Sequence, residues 1–282
     1  MRKEIVSIDK ERGVYQITTT DERFYSIEAK DKVTGLPYFE YIPSVTWITG
    51  YVYKGVEFYK WLASKGWDEA EVVKSEAGDR GSKVHKAIEN LVDGASVKME
   101  DKYYNKSKET DEELTPEEYG AIVSFTRWVE EVKPKFLSSE ITVISEKHNF
   151  AGTVDCVAEI DGQVWIIDWK TSANIYPSME AQLSAYKVAL KEMGKKVDNA
   201  KLAVLQVGYK RNKRGYKFTE IDDKFTSLFL PAQKFWENDN KKLSPKQIEY
   251  PLEVRLPKPE PKVKPVAKPE PKKKIIIKNK SN

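Results

Sequence analysis

Two aspartates and a lysine lie at the ends of two apolar runs joined by Asp161-Gly162. The runs Ala151 to Ile160 and Gln163 to Lys170 read as strands, and Asp-Gly is the dipeptide of a two-residue hairpin turn. With that turn Ile160 faces Gln163, and counting back along both strands sets Asp155 directly opposite Asp168. Opposed Cβ atoms are about 5 Å apart, where two carboxylates repel by roughly 3 kcal/mol at an effective dielectric of about 20. Something positive must therefore sit between them. Lys170, two residues past Asp168, projects from the same face. Val154, Cys156, Trp165, Ile167 and Trp169 on one face, with Val157, Val164 and Ile166 on the other, predict a sheet covered on both sides. Two readings fit: a plain ion pair of Lys170 with both aspartates, or a carboxylate pair holding Mg²⁺ or Mn²⁺. These hard cations take carboxylate oxygens and keep water positions open for a substrate phosphate.

The surrounding elements follow from periodicity. Short strands at Val14 to Thr19 and Arg23 to Ala29 precede a Gly35-Leu36-Pro37 turn, and Pro43-Ser44-Val45-Thr46 starts a helical region. Helices are predicted over Val56 to Ser64 and about Asp68 to Leu91. From Asp93 to Glu113 the chain is polar and acidic, and a mobile loop is expected. Thr115-Pro116-Glu117-Glu118 is a capping box with proline at the first helical position, and its helix ends at Pro134. Strands follow around Ile141 and Val143 and in the hairpin, then a helix from Pro177 to Met193, strands at Lys201 to Tyr209 and Tyr216 to Ile221, and a helix over Phe225 to Lys241. This order predicts an α/β (α+β) fold, a central mixed sheet flanked by helices behind a helical N-terminal region, because hairpins join the first strands.

Gly152-Thr153-Val154-Asp155 followed by Ile167-Asp168-Trp169-Lys170-Thr171-Ser172 resembles the active-site strands of the PD-(D/E)XK nuclease superfamily, and within it the RecB-like exonuclease branch. Arg80-Gly81-Ser82-Lys83-Val84-His85, with Glu89 one turn on, is similar to that branch's Arg-Gly-Thr-x-x-His helix, and Gln182-Leu183-Ser184-Ala185-Tyr186 to its Gln-x-x-x-Tyr helix. The Asp-Trp-Lys-Thr-Ser string and the Pro43 start look most like phage exonucleases and the mitochondrial genome maintenance exonuclease. The resemblance spans about residues 40–210 and implies a PD-(D/E)XK core over 79–221 in a nuclease domain of residues 1–250. It implies His85, Asp155, Asp168 and the Trp169 backbone carbonyl as ligands of one or two ions, with Glu140 as a further acidic ligand. Lys170 would orient the attacking water or stabilise charge on the phosphate. Gln182, Tyr186, Arg80 and Ser172 are expected to contact substrate. Glu89 could orient His85 from behind or be a solvated helix residue, and a histidine on a helix is otherwise a packed or surface residue. His148 has no such motif around it.

The resemblance further implies a DNA exonuclease acting on free ends, with single strands as substrate and 5′-phosphate products, in replication, recombination or repair. A structure-specific endonuclease of the same fold uses identical chemistry. A non-catalytic DNA-binding relative would be expected to lose a ligand or the lysine, and all are present. Trp47, Tyr51, Tyr53, Trp61 and Trp67 are read mainly as core, with base stacking as the alternative.

Composition narrows the choice. Of 282 residues 33% are charged and 40% hydrophobic, enough for a buried core, and the single Cys156 rules out a disulfide framework and a four-cysteine iron–sulfur cluster. No Walker A string is present, so no helicase motor is expected. Met1 to Gln16 has early acidic residues and no apolar run, which predicts an intracellular, cytoplasmic protein (the host cytoplasm if phage-encoded) with no membrane partner. Lys+Arg 48 against Asp+Glu 44 gives +4. Residues 251–282 hold nine Lys, one Arg and three Glu, about +7, leaving about −3 for the first 250. With seven of the 14 prolines, this stretch reads as a disordered basic tail, either a solvated end or a grip on nucleic acid phosphates or a protein partner.

Overall fold

Alternation in the first forty residues builds an antiparallel meander. In the computed structural model, which describes residues 4–9, 13–18, 23–31 and 33–241, strands β1 (Glu4–Asp9), β2 (Val14–Thr18), β3 (Arg23–Lys30) and β4 (Pro37–Ile42) form a four-stranded sheet in that order. Ser44 then caps α1 (Val45–Thr49) by accepting the Trp47 N–H. Helices α2 (Val56–Lys65) and α3 (Trp67–Val92) are separated at Gly66, and a hairpin of β5 (Lys102–Asn105) and β6 (Thr110–Glu113) leads to α4 (Pro116–Val132). The capping box predicted at Thr115 is formed in both directions, with Glu118 returning to the Thr115 N–H.

The main sheet comprises β7 (Lys135–Ser145), β8 (Phe150–Ile160), β9 (Gln163–Lys170), β10 (Lys201–Val207) and β11 (Tyr216–Ile221), in the order β11-β10-β9-β8-β7. Only β9 and β10 run parallel, joined by α5 (Pro177–Glu192), so the sheet is mixed. Both faces are covered. One buries Val143, Val154, Val157 and Ile166 against α1, α5 and the C-terminal α6 (Leu230–Asp239). The other buries Cys156, Ala158, Ile167, Trp169 and Leu205 against α3 and α4. This is the mixed α/β fold with flanking helices that the element order predicts.

Several local expectations change. The acidic stretch expected to be a mobile loop contains the β5–β6 hairpin. Tyr103 and Asn105 alternate inward, and the Asn105 amide holds Glu112 at 2.8 Å. Buried Lys83 of α3 meets Glu118 at 2.8 Å and Glu112 at 3.8 Å, tying hairpin, α3 and α4 together. Periodicity also missed β1 and β4. The last helical segment opens with a π turn over Phe225–Phe229 before α6, just ahead of Pro231, which has no N–H to give to a regular ladder. The basic tail lies outside the described residues. Among those described, no helix is long and apolar enough to cross a membrane.

Candidate metal centre

The β8–β9 hairpin has the register its turn dictates. Asp161 and Gly162 both take positive φ (50° and 78°), and pairing runs from Ile160↔Gln163 to Cys156↔Ile167. One step further the ladder gives way to side-chain chemistry, because the Trp169 N–H is taken by the Asp155 carboxylate at 2.8 Å. On the other side β7 pairs Ser139 with Cys156 and Ile141 with Val154, while Glu140 between them has φ 47°. The alternation slips here. Val154 joins the face of Val157 and Ile166, not that of Cys156 where simple alternation places it. Asp155 sits at this slip, where one strand changes phase and its neighbour turns.

Asp168 is 1% exposed, and Lys170 Nζ lies 2.5 Å from its Oδ2. The other oxygen, Oδ1, accepts from Gln182 Nε2 at 3.1 Å, and the same amide donates to the Tyr186 hydroxyl at 3.0 Å. Gln182 and Tyr186, one turn apart on α5, are thus anchored to the carboxylate. Gly152 makes this possible. A Cβ there would stand 2.6 Å from Tyr186 Cε1 and 3.3 Å from Val45 Cγ2, so the Gly-Thr-Val-Asp string admits the tyrosine ring only because it begins with glycine. The resemblance marked Gly152 as part of a motif; its contact across the fold has no sequence signal.

His85 comes from the buried half of α3. Its Nδ1 is 3.5 Å from Asp155 Oδ2, and His85, Glu140 and Asp155 can each present a ligand atom within 4.8 Å of the others. The structure therefore gathers residues from α3, β7 and β8 that are 15 or more positions apart in sequence. Burial lowers the His85 pKa to about 4, reinforced by the Lys170 charge and opposed by Asp168 and a hydrogen bond to the Trp169 backbone. The ring is neutral at pH 7, the form that offers a lone pair. Burial raises Asp168 to about 6 despite Lys170, and raises Asp155 as well. Lys170 is itself raised, because the attraction of the two aspartates outweighs its desolvation.

This donor set fits a hard divalent cation. It offers carboxylates and a neutral imidazole, and the buried Asp168 Oδ2 has the Lys170 ammonium as its donor. Asp168 stands outside the His85–Glu140–Asp155 trio, held on the Lys170 side.

The remaining residues fall as follows. Glu89 pairs with Lys86 at 2.7 Å along α3. Arg80 and Thr171 line a small cleft with Glu117, Val207 and Gly208 beside the ends of β9 and β10. The Ser172 hydroxyl caps the Asn174 carbonyl at 2.9 Å. His148 lies in the β7–β8 turn, 3.7 Å from Glu192 and T-stacked on Phe225. Of the aromatic set, Trp47 packs against the core while Tyr53 and Trp67 are exposed. Sequence reasoning passed over Tyr25, whose hydroxyl lies 3.0 Å from Thr153 Oγ1 and links the N-terminal sheet to β8 two residues before Asp155.

No curated protein matches the chain significantly. A family model does, over residues 58–249, a span that runs from α2 to beyond α6 and contains His85, Glu140, Gly152, Asp155, Asp168, Lys170, Gln182 and Tyr186. On that match the chain belongs to the PD-(D/E)XK nuclease superfamily.

Proposed function

We propose that this nuclease is a Mg²⁺- or Mn²⁺-dependent deoxyribonuclease that removes nucleotides from free ends of DNA, with single strands as substrate. The observation that carries the metal-dependent reading is the convergence of His85, Glu140 and Asp155 within 4.8 Å, beside the buried Asp168 carboxylate. The four motifs in the order of RecB-like exonucleases support action on ends. His85, Asp155, Asp168, the Trp169 carbonyl and Glu140 would hold the cation. When bound, it would polarise the phosphate and acidify an attacking water.

The chain's own residues do the rest. Lys170, held at Asp168 Oδ2 and a fifth exposed, is placed to stabilise charge on the phosphate or to orient the water. His85 stays neutral, so its imidazole competes with no proton at neutral pH. Gln182 fixes Asp168 Oδ1 and leaves the carboxylate one orientation. The test incubates end-labelled linear and circular DNA, each single- and double-stranded, with Mg²⁺ or Mn²⁺. Wild type should degrade linear single strands, and Asp168→Ala and Lys170→Ala should be slower by at least about 10²-fold. Cleavage of circles would replace the exonuclease reading by an endonuclease one, and binding without cleavage would sink the enzyme reading.

A further inference from the structure

From the end of β10 through the turn and into the first two residues of β11 the chain reads Gly208-Tyr-Lys-Arg-Asn-Lys-Arg-Gly-Tyr-Lys217, five cations and no acid. The first 250 residues together carry about −3, so this one loop runs against the charge of the rest. Lys210, Arg211, Lys213, Arg214 and Lys217 are all exposed. Five like charges within eight residues repel one another, yet the loop is held in one shape. Arg127 Nη1 donates to the carbonyls of Lys213 (3.3 Å) and Arg214 (2.8 Å). Asn212 accepts the Gly215 N–H and donates to the Tyr216 carbonyl, and Gly208 N–H is taken by Ser124 Oγ at 2.8 Å. These bonds clamp the loop backbone to α4 and leave the cationic tips outside. Two of the five have acidic neighbours, Lys210 with Glu117 at 2.9 Å and Arg214 with Glu131 at 3.5 Å. Arg211 donates to the Asn174 side-chain oxygen, and Lys217 lies over the Tyr209 ring.

The loop's place decides its meaning. Gln206 is the register partner of Lys170 on the parallel β9–β10 ladder, and its amide holds the Ser172 carbonyl at 2.8 Å. Two residues later the loop begins. Arg211 then touches the segment that leaves the centre, through Asn174 at 3.1 Å. Thr171, Gly208 and Arg80 line one cleft together with Glu117, the partner of Lys210, so the start of the loop and the α3 motif border the same opening.

We infer that the Tyr209–Lys217 loop is a phosphate-gripping site that holds the nucleic-acid backbone beside the bond to be cut. This rests on the nuclease reading for its purpose, although the binding itself does not. Allowing for the two ion pairs, it neutralises about three phosphates, which contribute roughly −2 to the slope of log K against log salt on a single strand.

The test uses the full chain and a fluorescent single-stranded oligonucleotide in EDTA, with anisotropy read from about 50 to 300 mM KCl. The triple variant Arg211→Gln, Lys213→Gln, Lys217→Gln should flatten the slope by about 2 and weaken binding at low salt by at least about tenfold. Lys213→Glu alone leaves the clamping bonds in place and should weaken binding several-fold. A control with the same charge change on α2 and α3, Lys60→Gln, Lys65→Gln, Lys74→Gln, should leave the slope unchanged. An unaltered slope in the loop variants, or an equal loss in the control, overturns the assignment. Because binding is read without metal, a wild type that binds but does not cut would defeat the nuclease reading alone. A wild type that cuts, with loop variants of unaltered slope, would defeat the loop alone.

Discussion

Gly152→Ala puts the link between the two helical faces of the centre to a quantitative trial. The added methyl carbon would lie 2.6 Å from Tyr186 Cε1, where carbon contacts settle near 3.6 Å, so ring or strand must move by about 1 Å. Relief is hard to find. The same carbon meets Val45 Cγ2 at 3.3 Å, and Tyr186 is only 3% exposed, with neighbours all round. Overpacking of this kind costs about 1–3 kcal/mol, which lowers the melting temperature of a unit this size by roughly 3–10 °C. A ring moved by about 1 Å stretches the 3.0 Å bond from Gln182 beyond hydrogen-bond range and loosens the amide's 3.1 Å hold on Asp168. Misplacement on that scale costs up to about 10²-fold in rate. The assay pairs thermal melts with initial rates on single-stranded DNA, well below the variant's melting temperature, and repeats both in a Gln182→Ala background. If the route runs through Gln182, Gly152→Ala destabilises both backgrounds but slows only the first. Equal slowing in both, or an unchanged rate beside a lowered melting temperature, would refute the route and leave Gly152 a packing residue.

Three further outcomes are expected. Mn²⁺ affinity, followed by the metal-induced rise in melting temperature, should fall about tenfold between pH 7 and pH 5, because Asp168, raised to about 6, takes up a proton the ion must displace. Without metal the two shifts act in opposite directions: His85, lowered to about 4, contributes stability lost as pH falls from 6.5, and Asp168 contributes stability lost as pH rises from 3.8 toward 6. Asp155, also raised, adds to the Asp168 side, so His85 offsets only part of that loss and His85→Asn should steepen the decline with rising pH in urea titrations. Lys83→Ala should cost about 3–5 kcal/mol in the same titrations by removing the cation from the buried Glu118 carboxylate, whereas Lys83→Met with Glu118→Gln, which keeps an acceptor for the Thr115 N–H, should cost far less. Cys156 is fully buried and its thiol is pushed up by that burial, so it should react with a thiol reagent only as fast as the protein opens and promptly in denaturant.

What the sequence made legible was local. Asp161-Gly162 sets the register of β8 on β9 with no help from the rest of the chain, because two residues at positive φ admit one hairpin geometry. Thr115 to Glu118 likewise announces α4 through bonds closed within four residues. Residues that meet across the fold were legible only through the resemblance, as His85 shows: nothing along α3 points to β8. Polarity misled where polar groups satisfy one another. The stretch after Asp93 looked too charged to be ordered, yet Asn105, Glu112 and Lys83 pair among themselves and the hairpin docks. Alternation failed at Val154, because periodicity has no term for a neighbouring strand that turns at Glu140.

The slip at Asp155 also explains how this sheet carries charge in its interior. An unbroken ladder would set Asp155 and Asp168 face to face at about 5 Å, with repulsion of a few kcal/mol and both N–H groups committed to strand pairing. Ending the pairing at Cys156↔Ile167 frees the Trp169 N–H for the Asp155 carboxylate and places Lys170 against Asp168, so each aspartate has a different donor. Gln182 then takes the remaining side of Asp168. The compensation is incomplete, since burial keeps both carboxyls raised despite these donors. That residual cost is what a cation at the trio would remove. It also means that the centre presents negative charge to a polyanion, so attraction for the strand has to come from elsewhere on the surface. The basic loop that begins two residues beyond Gln206, on the strand paired with β9, is the source we infer for it.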